Sequence, residues 1–154
     1  MLRACALVLA LFVAAVPARS VTPAQSEWGI GAAVQGGPAL SVQYAPSRQD
    51  AYHVLAHIGN DEALFQADYQ QFYRPRSLSI GHVRGGVYGG LGLLGRAARD
   101  GADGEQWFLH LPVGLQADVL PLHLSIFVEA AAAIGALPGT GLLPVVSGGV
   151  RAVF

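Results

Sequence analysis

The sequence predicts an all-β protein: an eight-stranded antiparallel up-and-down transmembrane β-barrel preceded by a cleavable signal peptide. Three observations predict it. First, Trp107 to Asp118 alternates strictly: Trp107, Leu109, Leu111, Val113, Leu115 and Ala117 are apolar, and Phe108, His110, Pro112, Gly114, Gln116 and Asp118 are mostly polar, small or ring-shaped. A period of two marks a strand with unlike faces, and roughly ten residues is the span a tilted strand needs to cross a bilayer. Second, only 12% of the 154 residues are charged while 53% are hydrophobic. A soluble domain carries about 25% charged residues; an outside that meets lipid does not need them. Third, about eight such alternating segments follow Trp28, the minimum for a membrane barrel.

Taken in order, residues 1–20 read as a signal peptide, with Arg3 ahead of the apolar run Ala4 to Val16, which is too short to span as a helix. Cleavage after Ser20 leaves 21–154 as the barrel domain. Cys5, the single cysteine, is lost with the leader, so the mature chain has no disulfide and no thiolate metal ligand. Export from a Gram-negative cell to its outer membrane follows from these features. A net charge of −1 with no basic block argues against nucleic acid as a partner.

In Trp28 to Gln35 the even positions are apolar, and Gly36-Gly37-Pro38 turns the chain. Leu40, Val42 and Tyr44 share one face of the next segment. Ala51 to Ile58 points Tyr52, Val54, Ala56 and Ile58 outward and His53, Leu55 and His57 inward. Ala63 to Tyr73 sets Phe65, Ala67, Tyr69 and Tyr73 against Leu64, Gln66, Asp68 and Gln70. A proline-containing connection covers Arg74 to Ser79. Val83 to Arg96 is glycine-rich, with Arg84, Tyr88 and Arg96 inward, and Ala97 to Gln106 is the most polar loop. After Trp107 to Asp118 and a turn at Leu120-Pro121, Leu122 to Ala132 places His123, Ser125, Phe127 and Glu129 inward. The run Glu129 to Ile134 has high helix propensity, but the alternation before it favours a strand. Gly135 to Pro144 reads as a loop, and Val145 to Phe154 as the last strand, with Arg151 inward.

An even strand number puts both ends on the periplasmic side. The strand ends there carry Trp28, Tyr44, Tyr52, Tyr69, Tyr73 and Phe154, all on the apolar face, where an interfacial aromatic girdle belongs. The inward faces collect Asp68, Glu129, Arg84, Arg96, Arg151, His53, His57, His110 and His123. Eight strands enclose a lumen just wide enough to be filled by side chains, and charges there are costly unless paired. The expected result is a polar network built on Asp68, Arg84, Glu129, Arg151, His53 and His110. A narrow polar path for small solutes or ions is the alternative.

Three motifs suggest chemistry, and each has a simpler structural account. His53 and His57 lie four apart, about 13 Å along a strand, too far to share one zinc ion; no metal site is expected. Gly90-Leu-Gly92-Leu-Leu-Gly95 matches a dinucleotide fingerprint in letters but opens no helix; no nucleotide or other cofactor is expected, and the glycines serve close strand packing. His123-Leu-Ser125 resembles the His-x-Ser pair of outer-membrane lipid A deacylases, with Glu129 as third member, although that family's flanking residues are absent.

Four segments together resemble a family of small bacterial outer-membrane β-barrel proteins, OmpA/OmpX-like in fold: Gly36 to Tyr44, Val87 to Gly92, Leu111 to Leu115 and Pro121 to Glu129. The ending Gly148 to Phe154 is similar as well. The resemblance implies an eight-stranded barrel, outer-membrane lipid as its surroundings and a terminal Phe154 read by the barrel-assembly machinery; the family is mostly without an assigned role, and the role expected here is non-enzymatic, structural or surface-interacting. The chain departs from the pattern at Ala152 and Val153, where aromatics are usual, and after Glu129, where alanines replace a proline.

Overall fold

The structure, a computed structural model, describes residues 27–59, 62–98, 105–135 and 141–154. The expected signal peptide at 1–20, and the tips of the loops after residues 98 and 135, lie outside the described residues. The alternating segments form β1 (Glu27–Val34), β2 (Pro38–Ala45), β3 (Asp50–Ile58), β4 (Glu62–Tyr73), β5 (Ser79–Ile80), β6 (Val83–Ala98), β7 (Glu105–Val119), β8 (Leu124–Gly135) and β9 (Leu142–Val153). Neighbours pair antiparallel, β4 bonds directly to β6, and β9 returns to β1. Eight strands thus close an antiparallel barrel, while β5 pairs only with the start of β6.

The stagger of the ring can be followed residue by residue. Arg151 faces Gly31, and the row continues through Ser41, Leu55, Gln66, Leu94, Phe108 and Gly135. Gly135 N–H then donates to Gly141 O at 2.8 Å. One circuit therefore returns to β9 ten residues away from Arg151. At roughly 3.3 Å per residue and about 4.8 Å between strands, that shear tilts the strands by about 40°.

Alternation decides what faces where. On β3, Ala51, His53, Leu55 and His57 are buried, while Tyr52, Val54 and Ala56 are half-buried and Ile58 is exposed. The other strands follow the same rule. Outward positions of the eight barrel strands are apolar or tyrosine, apart from Asp50, Gln71 and Glu105. Asp50 pairs with Gln71 at one rim, and Glu105 opens β7 at the other. The inside holds three apolar clusters around a polar middle. Leu94, Phe108, Ala133 and Val145 fill the end with the long loops; Ala33, Leu55 and Phe127 pack lower; Ala51, Phe72 and Tyr88 fill the end with both termini.

The turns correct several expected boundaries. The β1–β2 turn uses Gly36 at φ 71°, with Gln35 N–H donating to Gly37 O. The connection after Tyr73 is not plain coil: Arg76–Leu78 forms a 3-10 turn and β5 makes a short hairpin with β6. Leu122 and His123 do not begin β8. Leu120–Leu122 is a 3-10 turn, and His123 leaves it at φ 50°, exposed. Pro121 fits the start of such a turn because its N–H is not needed there. β9 begins at Leu142, and β8 runs to Gly135, so the expected Gly135–Pro144 loop is shorter at both ends.

Candidate functional site in the barrel lumen

The inward glycines come first, because they make the space. Gly92 on β6 stands between Asp68 on β4 and His110 on β7. A Cβ there would lie 2.0 Å from Asp68 Oδ1 and 2.2 Å from Ala67 O. Its absence lets His110 Nδ1 and Asp68 Oδ1 meet at 2.8 Å across the strand between them. Gly114 does the same for Tyr88, whose ring lies over it. The Tyr88 hydroxyl then donates to Glu129 Oε2 at 3.0 Å.

Glu129, 1% exposed, is the hub. Its Oε1 accepts from Gln66 Nε2 at 2.9 Å and Ser147 Oγ at 3.4 Å, and its Oε2 accepts from Gln70 Nε2 at 3.1 Å. Gln66 Nε2 also donates to Asp68 Oδ2 at 2.5 Å, so one amide group bridges two buried carboxylates. Gln35 Nε2 donates to Gln66 Oε1 at 2.7 Å. Lower down, Gln43 Nε2 reaches Gln70 Oε1 and Gln116 Oε1, and Gln116 Nε2 donates to Asp118, which pairs with Arg74.

Arg151, 1% exposed, lies 3.8 Å from the Phe127 ring centroid. It donates from Nε to Ser41 Oγ at 2.8 Å and from Nη2 to His53 Nε2 at 3.1 Å. Gly29 leaves room for its stem, since a Cβ there would sit 3.3 Å from Arg151 Cδ. His53 Nδ1 faces Gln70 Nε2 at 3.3 Å. Arg151 therefore reaches Glu129 indirectly, through His53 and Gln70 or through Gln116, Gln43 and Gln70.

The six residues named from sequence for the lumen are thus placed unequally. Asp68, Glu129, Arg151, His53 and His110 are buried and linked by hydrogen bonds. Arg84 is not among them; it sits half-buried at the rim, next to Val83, where β5 pairs with β6. Arg96 keeps its inward parity but stands exposed at the opposite rim, where it pairs with Glu62 at 2.9 Å. Among the described residues Asp68 and Glu129 are met by glutamine, tyrosine, serine and histidine side chains and not by arginine. Gln66 and Gln70, the central connectors, carried no sequence signal beyond their inward parity.

The aromatic positions form one row. Trp28 pairs with Tyr44, Tyr44 with Tyr52, and Tyr52 with Tyr69. Trp28 and Tyr44 ring centroids are 4.6 Å apart, and those of Tyr52 and Tyr69 are 5.7 Å apart. Phe154 exchanges backbone hydrogen bonds with Trp28 at 2.9 Å, and Tyr73 closes β4 at the same end. At the opposite end Phe65 and Trp107 both pair with Gly95.

His123, Ser125 and Glu129 do not form a hydrolytic set in this geometry. His123 is exposed in its turn, Ser125 is fully buried with no hydrogen-bond partner for its Oγ among the described residues, and Glu129 is bonded elsewhere. No protein-family model, curated protein or solved structure matches the chain.

Proposed function

We propose that this chain is an integral outer-membrane protein of a Gram-negative bacterium, exported by its N-terminal segment and non-enzymatic, with a structural or surface-interaction role. The observation that carries the reading is the outer wall. Its outward side chains are apolar or aromatic between the rims, and the hydrogen-bonding groups are turned into the lumen. On β7 the outward run from Trp107 to Val119, tilted by about 40°, stands roughly 30 Å tall, which suits the ~25 Å apolar band of such barrels. In water this surface would be a large exposed apolar patch; in lipid it is the solvated state. Outer-membrane lipid is the partner in this reading, with the barrel-assembly machinery acting on the C-terminal strand during biogenesis. The separation of exposed His123 from buried Ser125 and Glu129 counts against a lipid A deacylase built on those three residues.

The test is fractionation of expressing cells, with gel migration of unboiled and boiled samples. The protein should sediment with the outer membrane, resist urea extraction and migrate faster unboiled. Recovery as a soluble species would overturn the assignment. A pore is the second reading, favoured by the polar ladder from Asp118 to His110 and opposed by the apolar cluster of Leu94, Phe108, Ala133 and Val145. Steady conductance in planar bilayers would select it; silent bilayers would remove it.

A further inference from the structure

We propose that the lumen binds one divalent transition-metal ion, of zinc-like chemistry, through His53, Asp68 and Glu129, with the side-chain carbonyl of Gln66 as a fourth donor. Spacing along one strand had set His53 apart from His57. The barrel instead brings His53 on β3 together with Asp68 on β4 and Glu129 on β8. One donor atom from each lies within 4.8 Å of the other two, and all three residues are buried. Bonds of about 2 Å to a shared ion hold donors roughly 3–4 Å apart, so a closure of about 1 Å completes the set.

Charge is the first argument. Asp68 and Glu129 are both sealed from water, and neither accepts a hydrogen bond from an arginine among the described residues. Two buried carboxylates side by side are costly without an opposing charge. A dication between them supplies it.

The second argument is an unpartnered atom. Gln35 is 2% exposed, yet its Oε1 accepts no hydrogen bond among the described residues. Gln35 Nε2 instead donates to Gln66 Oε1, and Gln66 turns its NH2 into the gap between the carboxylates. If both amides rotate by a half-turn, Gln66 Nε2 donates to Gln35 Oε1 and the bond between them survives. The same rotation puts Gln66 Oε1 where its NH2 was, between Asp68 and Glu129, as an oxygen ligand. The two glutamines therefore keep the bond between them in both states, and the two bonds that Gln66 donates to Asp68 and Glu129 are exchanged for coordination to the ion.

The imidazole is suited to the role. Both of its ring nitrogens face donors: Ser41 and Arg151 at Nε2, Gln70 at Nδ1. A neutral imidazole accepts at one nitrogen only. With an ion on Nδ1, Nε2–H donates to Ser41 Oγ and Arg151 gives up only its Nη2 contact, keeping Ser41 and Gln116. His110, bonded to Asp68, orients that carboxylate from behind, as outer partners of metal ligands commonly do. One imidazole with oxygen donors selects zinc-like ions over calcium, which takes six to eight oxygens.

Because every donor is buried, the ion enters as the barrel folds. The probe is zinc(II), supplied while the protein purified from membranes is refolded from urea into detergent. We expect one zinc per chain after dialysis, a raised urea midpoint with zinc but not with calcium, and a cobalt(II)-substituted form with visible ligand-field bands. His53→Gln and Asp68→Asn should lose the zinc while keeping heat-modifiable migration. His57→Gln, whose ring is held by Pro38 O at 2.6 Å, should keep it. If the lumen variants fail to fold, the wild-type zinc content and cobalt bands decide. A folded wild type that dialyses metal-free overturns the site. So does zinc retained by His53→Gln, or zinc lost with the exposed His123.

Discussion

Glu129 accepts hydrogen bonds from side chains on β4, β6 and β9 at once. Its removal is therefore a different event from the loss of one contact. Glu129→Ala removes the acceptor of the Tyr88 and Ser147 hydroxyls in a closed lumen and takes one of two partners from each of the Gln66 and Gln70 amides. Breaking a buried charged cluster from one side costs about 3–5 kcal/mol, and the urea midpoint in detergent should fall accordingly. An unchanged midpoint would mean that the hub carries no stability. A sharper contrast separates two glycines on one strand. Gly92→Ala drives a Cβ against Asp68 Oδ1 and the Ala67 carbonyl, whereas a Cβ on Gly89 meets nothing nearer than Pro112 O at 3.9 Å. The first substitution should cost about 1–3 kcal/mol and the second close to nothing, read from the same unfolding curves. Equal costs would show that Gly92 is not a spacer for the Asp68–His110 contact.

Among the elements, the long strands were legible and the short ones were not. Trp107 to Asp118 declares its faces over a dozen positions, and β7 follows it with both faces as read. β5 has two residues, too few to show any period, and it forms because Gly81 at φ 59° lets the chain double back. His123 misled for a related reason. Its parity matches Ser125, but Pro121 two residues earlier starts a 3-10 turn that takes it out of the strand. The lumen residues were legible as a set, through inward parity, but their partners were not. Which inward side chains meet depends on the stagger of the ring, and that appears only once β4 is seen to pair with β6 and β9 with β1. Amides were the other blind spot: Gln66 and Gln70 titrate nothing and bind no metal by themselves, yet they join Asp68 to His53 through Glu129.

At the scale of the whole barrel, the decisive property is the inversion of polarity between wall and lumen. Val113, 62% exposed, lies midway along the outward run of β7. Val113→Arg should destabilise the protein in lipid vesicles by about 2–4 kcal/mol, measured by urea titration. Leu122→Arg, in an exposed turn beyond the strands, should change it by less than about 1 kcal/mol on the same depth scale. Equal penalties would argue against a bilayer around β7. The join between β1 and β9 has a further consequence. Residues 29–34 bond to residues 148–153, so the first and last described strands form one seam. Until β9 docks, β1 has no mate on that side, and the open sheet shows a bare hydrogen-bonding border to anything that can pair with it. That border disappears only when β9 pairs with β1 and closes the ring.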